Sequence, residues 1–528
     1  LRRRRRGCPP AAANPRARGR APRRRARRDP RAVAVRARHA ALPRPPRWLV
    51  RSVERLPAVR AARLLEALGL LAAIGTVLAL GFAAQGRAVV VRAAGAVGLV
   101  ALLPTLYFTF SRGALVALAA GLALQLALGQ RRSRLVVGAL VLGAPAALAV
   151  LYASRSGALT ASGATLQTAQ AEGEHLARRL LVLAFVASAL VPLLGVAERR
   201  IRPRPSLTRW LAVATIVAAS AVGAGAIVAS GGPVELVERG VDSFSQPLPA
   251  GTGDLEGRLL STSGNGRSDY WGVAAGMVQE EPLLGTGAGS FERYWLEERP
   301  TSFYARDAHN LYLETLAELG PVGLLVLVAT LAVPLVALWR ARRVRLAAAA
   351  GGAYGAFLVH AVVDWHWEVP GVTVAALLCA VALLAWAREP TPPLSRLDRR
   401  VGLALAIPLT AVALVAHVGN RALAASSEAT ANGEPERGAA EARRARAWAP
   451  WSHEPWQLLG QARLARNRDE EARLALRRAL ARDPDNWSIW YDLAIVSRGE
   501  ERARALAQVK RLNPLSPEAD ELITEISS

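Results

Sequence analysis

Long apolar runs recur along most of the chain and are separated by short connections rich in charge. About 20 apolar residues at 1.5 Å rise per residue cross a hydrocarbon core of ~30 Å. One or two such runs could be buried core helices, but a larger number predicts a polytopic membrane bundle. Nine runs approach this length: Leu64–Leu80, Ala93–Phe110, Leu135–Tyr152, Leu180–Val196, Leu207–Ser230, Val322–Leu338, Leu346–Val363, Val372–Trp386 and Val401–Val418.

Arginine clusters between these runs indicate which connections face the cytoplasm. Two runs separate each cluster from the next, and the positive-inside rule places such clusters on the cytoplasmic side. The clusters lie at 131–134, 199–209, 340–345 and 388–400. The remaining connections are then outside: about 153–178, the long loop 231–310, the turn Asp364–Pro370 and everything after about residue 419. The same alternation puts Arg112 outside and the connection with Arg87 and Arg92 inside.

The formal net charge of +26 suggests a nucleic-acid partner until its distribution is considered. Residues 1–60 hold 21 arginines against Asp29 and Glu54, and this basic Arg/Pro/Ala-rich stretch without an apolar period predicts disorder. A basic arm on anionic lipid head groups is one interpretation. We favour another, in which residues 1–60 are not native, because the alternation would otherwise carry all these arginines across the membrane. No nucleic-acid partner is expected.

The composition changes after the last apolar run, where residues 427–528 are charged, Ala-rich and helical in period. Pro450 and Pro484 lie 34 residues apart, the length of a tetratricopeptide repeat. The block ending at Pro484 has the residue types of such a repeat in order: Trp456, Leu459, Gly460, Ala472, Leu476 and Ala479. The sequence therefore predicts a TPR-like α-solenoid module at 427–528. Such a module binds a protein partner in its groove, or only packs on the membrane domain.

Three segments outside the apolar cores carry candidate chemistry. Phe110–Leu115 places Arg112 between two apolar runs, where an arginine costs about 2.5 kcal/mol or more to insert and is expected to have a partner. Gly264–Trp271 is a glycine turn leading into an amphipathic helix, and the glycines of Glu281–Phe291 lack the βαβ context of a dinucleotide fingerprint. Ala308–Gly323 places His309 where the loop returns to the membrane. Singly, Arg112 as a snorkelling residue and His309 as a structural one are the commoner interpretations.

Together these segments resemble the O-antigen ligase superfamily of bacterial envelope proteins, which includes related polysaccharide polymerases. The Ser-Arg-Gly turn, the Gly-Arg…Trp helix, the Pro-Leu-Leu-Gly-Thr-Gly stretch and the His-Asn-Leu-Tyr-Leu-Glu run follow in family order between about Phe110 and Trp386. The family's N-terminal helices are partly missing, and the region 158–179 is longer than usual. The resemblance implies a multi-pass protein of the bacterial cytoplasmic (inner) membrane. Its activity would move a glycan from undecaprenyl diphosphate to a hydroxyl of a glycan, lipid or protein acceptor, without metal or cofactor.

The resemblance also implies roles for individual residues. Arg112 and Arg267 would bind the diphosphate, because an arginine stays cationic and its fork matches phosphate oxygens. His309 would act with Arg267 as the catalytic pair, orienting or deprotonating the acceptor hydroxyl, since its ordinary pKa suits base work near neutral pH. Asp269 and Glu314 are candidate supporters of Arg267 and His309, although solvated helix charges are the commoner interpretation.

The end of the apolar run Leu346–Val363 and the outer turn after it hold four further polar residues, His360, Asp364, His366 and Glu368. His360 and Asp364 lie four apart and would share a helix face. A metal site, a supporting or acceptor-binding role and simple interfacial capping all fit this spacing. Capping is favoured, His360 and Asp364 stay candidate supporters, and no metal is predicted.

The predicted fold is thus all-α: a bundle of about ten spans at 61–426 with outer loop 231–310, followed by the helical module at 427–528. A lipid-linked glycan transferase is the favoured function. A chain-extending polymerase of the same superfamily shares all the motifs and differs in its acceptor. A non-catalytic scaffold that displays its repeats to an envelope assembly is the alternative from another class. A transporter is disfavoured, because the spans lack paired charges and broken-helix signals beyond Arg112.

Overall fold

The computed structural model describes residues 47–161, 163–200, 238, 242, 244–245, 263–388 and 395–527. Predictions for residues 1–46, for the run Leu207–Ser230 and for most of loop 231–262 lie outside the described residues. Internal contacts divide the chain into Leu1–Ser52 and Val53–Ser528, and the account below concerns the second unit.

The described residues form helices and no strand, which confirms the all-α prediction. Helix α1 begins at Arg47, so the end of the segment predicted to be disordered is helical. The helices before the outer loop are α1 (Arg47–Gln85), α2 (Val89–Phe108), α3 (Arg112–Leu128), α4 (Arg132–Ser154) and α5 (Leu166–Arg200). Those from the loop to the last span are α6 (Arg267–Glu280), α7 (Phe291–Glu298), α8 (Leu311–Ala341), α9 (Ala347–His360), α10 (Pro370–Ala387) and α11 (Arg396–Ala431).

Seven of the described helices are long and apolar enough to cross a membrane, namely α1, α2, α4, α5, α8, α10 and α11. Helix α3 is apolar but shorter, and α9 has only 14 residues. The predicted run Leu346–Val363 therefore ends as a helix at His360 and continues as a turn. The total of about ten spans stays a prediction.

Helix α9 is the buried centre of one half of the bundle. Twelve of its residues are buried, and its Ala/Gly-rich sequence lets neighbouring backbones approach closely. A Cβ atom on Gly121 of α3 would lie 2.7 Å from the carbonyl oxygen of Gly352, so α3 and α9 pack backbone to backbone. Gly121 lies nine residues after Arg112 and Gly352 lies eight before His360, so this antiparallel register brings Arg112 and His360 to the same end of the bundle.

Arginines from three connections gather at one end of the bundle. Burial lowers the pKa of Arg345, and the neighbouring charges of Arg131, Arg134, Arg87 and Arg92 lower it further. These residues come from the connections α1–α2, α3–α4 and α8–α9, all of which were assigned to the same side from the sequence. Arg112 begins α3 and His360 ends α9, so both lie at the other end.

The C-terminal residues form paired antiparallel helices, as predicted for tetratricopeptide repeats. After α11 come α12 (Pro435–Trp448), α13 (Glu454–Leu464), α14 (Asp469–Leu480), α15 (Trp487–Val496), α16 (Gly499–Leu512) and α17 (Pro517–Ser527). A Cβ atom on Gly460 would lie 2.8 Å from Leu476 Cγ, so this glycine allows α13 and α14 to pack closely. Helix α11 is continuous from the membrane segment into the module, and the predicted boundary at 426/427 therefore lies inside one helix.

Candidate active site

Arg267 is the first residue of α6, and the turn before it fixes its position. Asn265 and Gly266 both have positive φ, 53° and 79°, which reverses the chain immediately before the helix. The Arg267 side chain then points back across the turn, and its Nη1 donates to the Gly264 carbonyl at 3.1 Å. The glycine turn predicted from the sequence thus places an arginine at a helix N-terminus, where the helix dipole also favours an anion.

The Arg267 guanidinium is held on one side by the chain that follows α9. Its Nε donates to the Val363 carbonyl at 2.6 Å, and its Nη2 contacts Asp364 Oδ2 at 3.2 Å in an ion pair. These contacts and the bond to Gly264 occupy three of the five N–H donors that a guanidinium offers. One donor on each Nη atom therefore remains for a ligand, in the two-pronged arrangement that matches phosphate oxygens.

The segment 358–366 connects all three sequence motifs. Besides Arg267, the start of α8 is hydrogen-bonded to this segment. The Leu311 N–H donates to the Ala361 carbonyl at 2.9 Å, and the Tyr312 hydroxyl donates to the Leu358 carbonyl at 3.1 Å. It also lies against the Arg112 turn, since a Cβ atom on Gly113 would be 3.3 Å from His360 Nε2. His360 and Asp364 were candidate supporters from the sequence, and the structure shows that the whole segment supports the three motifs.

Arg112 begins α3 at the same end of the bundle. The preceding residue, Ser111, caps the helix, and its Oγ accepts from the Ala114 N–H at 3.2 Å. Phe110 has a positive φ of 48°, so the chain turns sharply between α2 and α3. Arg112 and Arg267 therefore have the same local setting. Each arginine is the first residue of a helix, and the start of each helix packs against the segment 358–366.

His309 lies in the loop immediately before α8, in a backbone conformation that few residues adopt. Its φ is 56°, and the next residue, Asn310, caps α8 by accepting from the Tyr312 and Leu313 N–H groups at 3.1 Å. The imidazole packs on the Tyr270 ring with 5.0 Å between centroids. A left-handed non-glycine residue is strained, and such strain concentrates at functional sites.

The hydrogen bond of His309 selects its tautomer. Its Nδ1 lies 2.9 Å from the Asp307 carbonyl oxygen, which can only accept, so Nδ1 carries the proton. Burial lowers the pKa of His309 below its ordinary 6.5, and the positive charge of Arg267 lowers it further, against the opposing effect of Asp364. The imidazole is therefore neutral at physiological pH and offers the lone pair of Nε2 to a proton.

Asp364 is the buried carboxylate of this cluster. Burial alone would raise its pKa, but the electrostatic interactions with His366 and Arg267 outweigh burial and lower the pKa overall. The carboxylate is therefore ionised at neutral pH. A negative charge beside Arg267 reduces the free-energy cost of burying the guanidinium. The second oxygen of the Asp364 carboxylate, Oδ1, accepts from the Trp365 N–H at 3.0 Å.

The other predicted supporters act on the backbone or stand apart. Glu314 Oε2 accepts from the Ala308 N–H at 2.8 Å, so this carboxylate holds the loop that carries His309. Asp269 lies in the first turn of α6, and among the described residues it forms no ion pair; Asp364 occupies that position beside Arg267. Sequence reasoning had assigned Asp364 a lesser role than the structure gives it.

The alternating glycines after α6 bring the backbone of 287–291 into hydrogen bonds with Glu318, a residue that the sequence analysis did not select. Gly285, Gly287 and Gly289 all have positive φ. Glu318 accepts from the Gly289 and Phe291 N–H groups at 2.8 and 3.1 Å, and its carbonyl accepts from Gly287. These hydrogen bonds join the Pro-Leu-Leu-Gly-Thr-Gly stretch to α8. They thereby fix the position of α6 and its Arg267 relative to His309.

The fold and site define a polytopic helical membrane protein that also carries a helical-repeat module. At one end of its membrane bundle lie a histidine and two helices that each begin with an arginine. Residues 175–328 match the O-antigen ligase family. Residues 453–496 match a tetratricopeptide repeat. Both matches confirm the resemblances drawn from the sequence, and the first includes Arg267, Asp269, His309 and Glu314. No curated protein sequence matches the chain.

Proposed function

We propose that the protein is a membrane glycan transferase that moves a glycan from undecaprenyl diphosphate to an acceptor hydroxyl, as an O-antigen ligase does. One observation carries this proposal: within the family match, an arginine whose guanidinium keeps two N–H donors beyond its protein contacts and a histidine whose Nε2 offers a lone pair lie at one end of the bundle. The requirement of such a transfer is dense positive charge at the leaving group and a base at the nucleophile.

The transfer is a displacement at the anomeric carbon. The acceptor oxygen attacks that carbon, and a bond forms between them as the bond to the diphosphate oxygen breaks. His309 Nε2 takes the proton of the hydroxyl, while Arg267 and Arg112 stabilise the charge that grows on the departing diphosphate. Attack from the side opposite the diphosphate inverts the anomeric configuration. Every step uses side chains of this chain, and neither metal nor cofactor takes part.

The site faces outward in this proposal. The arginines that surround Arg345 mark the other end of the bundle, and the positive-inside rule assigns that end to the cytoplasm. The site end and the repeat module then lie on the periplasmic or extracellular side of the inner membrane. Lipid-linked glycans are presented to acceptors on that side.

Complementation of a deletion strain tests the proposal. Arg267→Ala and His309→Ala should each abolish the glycan product while the protein still inserts in the membrane. Arg306→Ala and His175→Ala are matched controls, because both side chains are exposed and lie outside the cluster, and both should restore the product. Restoration by Arg267→Ala and His309→Ala would refute a transferase and favour a scaffold.

The accumulated intermediate separates the two activities of the superfamily. Complete lipid-linked polymer accumulating in the deletion strain supports a ligase. Loss of the long-chain ladder while single lipid-linked units remain supports a chain-extending polymerase. The role of the repeat module can be tested in the same strain. Deletion of 427–528 should abolish the product only if the module positions an acceptor or supports the site.

A further inference from the structure

Two histidines and an aspartate form a buried cluster that the transfer chemistry above leaves largely unused. His360 ends α9, and Asp364 and His366 follow in the turn before α10. Their exposed fractions are 1%, 4% and 0%. One ligand atom from each side chain, an imidazole nitrogen or a carboxylate oxygen, lies within 4.8 Å of the other two.

Neither imidazole is satisfied by the protein. Within the described part of the chain, no ring nitrogen of His360 or His366 has a hydrogen-bond partner. Two longer approaches to His366 occur, 3.5 Å from Nδ1 to Asp364 Oδ1 and 3.9 Å from Nε2 to Glu66 Oε2. Burying a polar group without a partner is costly, so two adjacent unsatisfied imidazoles indicate a ligand.

The charge of the cluster identifies the class of ligand. An anion would meet the carboxyl oxygens of Asp364, which carry no proton donor to spare for it. A cation would meet a carboxylate oxygen and up to two imidazole nitrogens, a donor set that suits first-row transition metals rather than magnesium or calcium, which prefer oxygen ligands. The cluster is therefore built for a soft or borderline divalent cation.

We propose that His360, Asp364 and His366 bind one divalent transition-metal ion, with Zn²⁺ the best fit. Ligands bonded at 2.0–2.1 Å to a tetrahedral zinc lie roughly 3.3–3.4 Å apart. The separation of 3.5 Å between His366 Nδ1 and Asp364 Oδ1 is close to that value. The wider separations within the group need to shorten by up to roughly 1.5 Å for the same geometry.

The surroundings supply the outer interactions that a metal site uses. With Nδ1 of His366 on the metal, its Nε2–H points toward Glu66, in the carboxylate–histidine–metal arrangement that orients a ligand. Asp364 can serve both neighbours, since Oδ1 faces His366 while Oδ2 pairs with Arg267 at 3.2 Å. Arg267 is cationic and lowers the affinity to some extent, but it contacts the oxygen that the metal does not use.

The inference does not depend on the proposed transfer, because neither Arg267 nor His309 is a ligand and no step of the transfer uses the metal. The shared carboxylate gives the ion a position next to the site without a place in the reaction. Metal bound to Asp364 would withdraw charge from the Arg267 ion pair and leave the guanidinium more available to an anion.

Metal titration of the full-length protein in detergent micelles tests the proposal. After removal of metal with a chelator, Zn²⁺ binding is measured by calorimetry, and Co²⁺ is used as a spectroscopic probe of the ligand set. We expect one ion per chain, and visible absorption bands typical of four-coordinate Co²⁺. His360→Ala and His366→Ala should each weaken Zn²⁺ binding at least tenfold, while His175→Ala, exposed and distant in sequence, should bind as the wild type does.

A variant that keeps all three ligands guards against misfolding of the histidine variants. Glu66→Gln removes only the outer carboxylate, and loss of such a partner typically weakens metal binding by about 10–100-fold. Absence of one-to-one binding to the wild type would overturn the proposal, as would binding that survives in both histidine variants. Retained metal binding by Arg267→Ala, in a protein that has lost transfer, would show the two proposals to be separate.

Discussion

Asp492 of the repeat module is a buried carboxylate that forms no ion pair among the described residues, and its ionisation should limit the stability of the module. It lies in α15 and is 3% exposed. Its Oδ2 accepts from Gln457 Nε2 at 3.0 Å and from Gln461 Nε2 at 2.8 Å. Burial raises the pKa from 3.8 to about 6, although the hydrogen bonds from the two amides lower it. The isosteric change Asp492→Asn keeps an oxygen that can accept both bonds and removes the charge.

The magnitude follows from the two pKa values. A folded pKa above the unfolded one means that the stability contribution is complete below pH 3.8 and is lost as the pH rises to about 6. At about 1.36 kcal/mol per pH unit, the ionised carboxylate then costs roughly 3 kcal/mol at neutral pH. Asp492→Asn should therefore stabilise the module by up to ~3 kcal/mol above pH 6 and by much less near pH 4.

Hydrogen exchange read by mass spectrometry on the full-length protein measures this effect, because it reports the opening free energy of α13 to α15 separately from the membrane helices. Glu470→Gln is the matched control, since Glu470 carries the same kind of charge with an exposed fraction of 82%. Equal protection of Asp492→Asn and wild type at pH 7.5, or lower protection of the variant, would refute the reasoning. The two glutamines would then be stabilising the carboxylate as an ion.

Three further predictions follow from the site and its supports. Arg267→Lys should lower the rate of transfer by roughly 10²–10³-fold although the charge is kept, because lysine cannot make three protein contacts and bind a diphosphate at once. Initial rates in membrane vesicles measure this effect, with Arg306→Lys as the control. Arg299→Ala should lower the opening free energy of α16 by about 2 kcal/mol, read by hydrogen exchange, since this buried guanidinium donates to Asn513 Oδ1 at 2.7 Å and to the Leu515 carbonyl at 3.2 Å. Gly320→Ala should lower the thermal midpoint by an amount equivalent to about 2 kcal/mol or more, because φ 65° and ψ −174° suit only glycine and a Cβ there would lie 2.8 Å from the Leu283 carbonyl carbon. Gly371→Ala, where a Cβ meets nothing within 4 Å, should leave the midpoint unchanged.

The features that the sequence predicts well are those with a period or a spacing. Apolar runs of membrane length gave the helices, and the positions from Trp456 to Ala479 gave the repeat, because both patterns are local. Arg267 and His309 could be selected because the segments that carry them resemble a known family in residue types and order; neither position is distinctive by itself. The length of α9 could not be predicted, since the run to Val363 stays apolar while the helix stops at His360.

The contacts between distant segments could not be predicted from single positions. Arg267 and Asp364 are 97 residues apart, and Asp269 was the nearer carboxylate in sequence. The choice between them depends on how the start of α6 packs on the chain that follows α9, which is a contact between distant segments. For the same reason Glu318 could not be distinguished from an ordinary helix charge until its bonds to the Gly289 and Phe291 N–H groups were seen.

The repeat module and the site share one scaffold, which bears on the choice between a transferase and a scaffold protein. Arg299 joins the module to the end of α7, and Trp295 of α7 packs edge-to-face on Tyr270 at 4.7 Å between ring centroids. Tyr270 in turn packs on the imidazole of His309, 5.0 Å away. A protein that binds the module would therefore contact a unit that packs, through Trp295 and Tyr270, on His309, the proposed base. We therefore expect binding of a partner to change the rate of the proposed transfer.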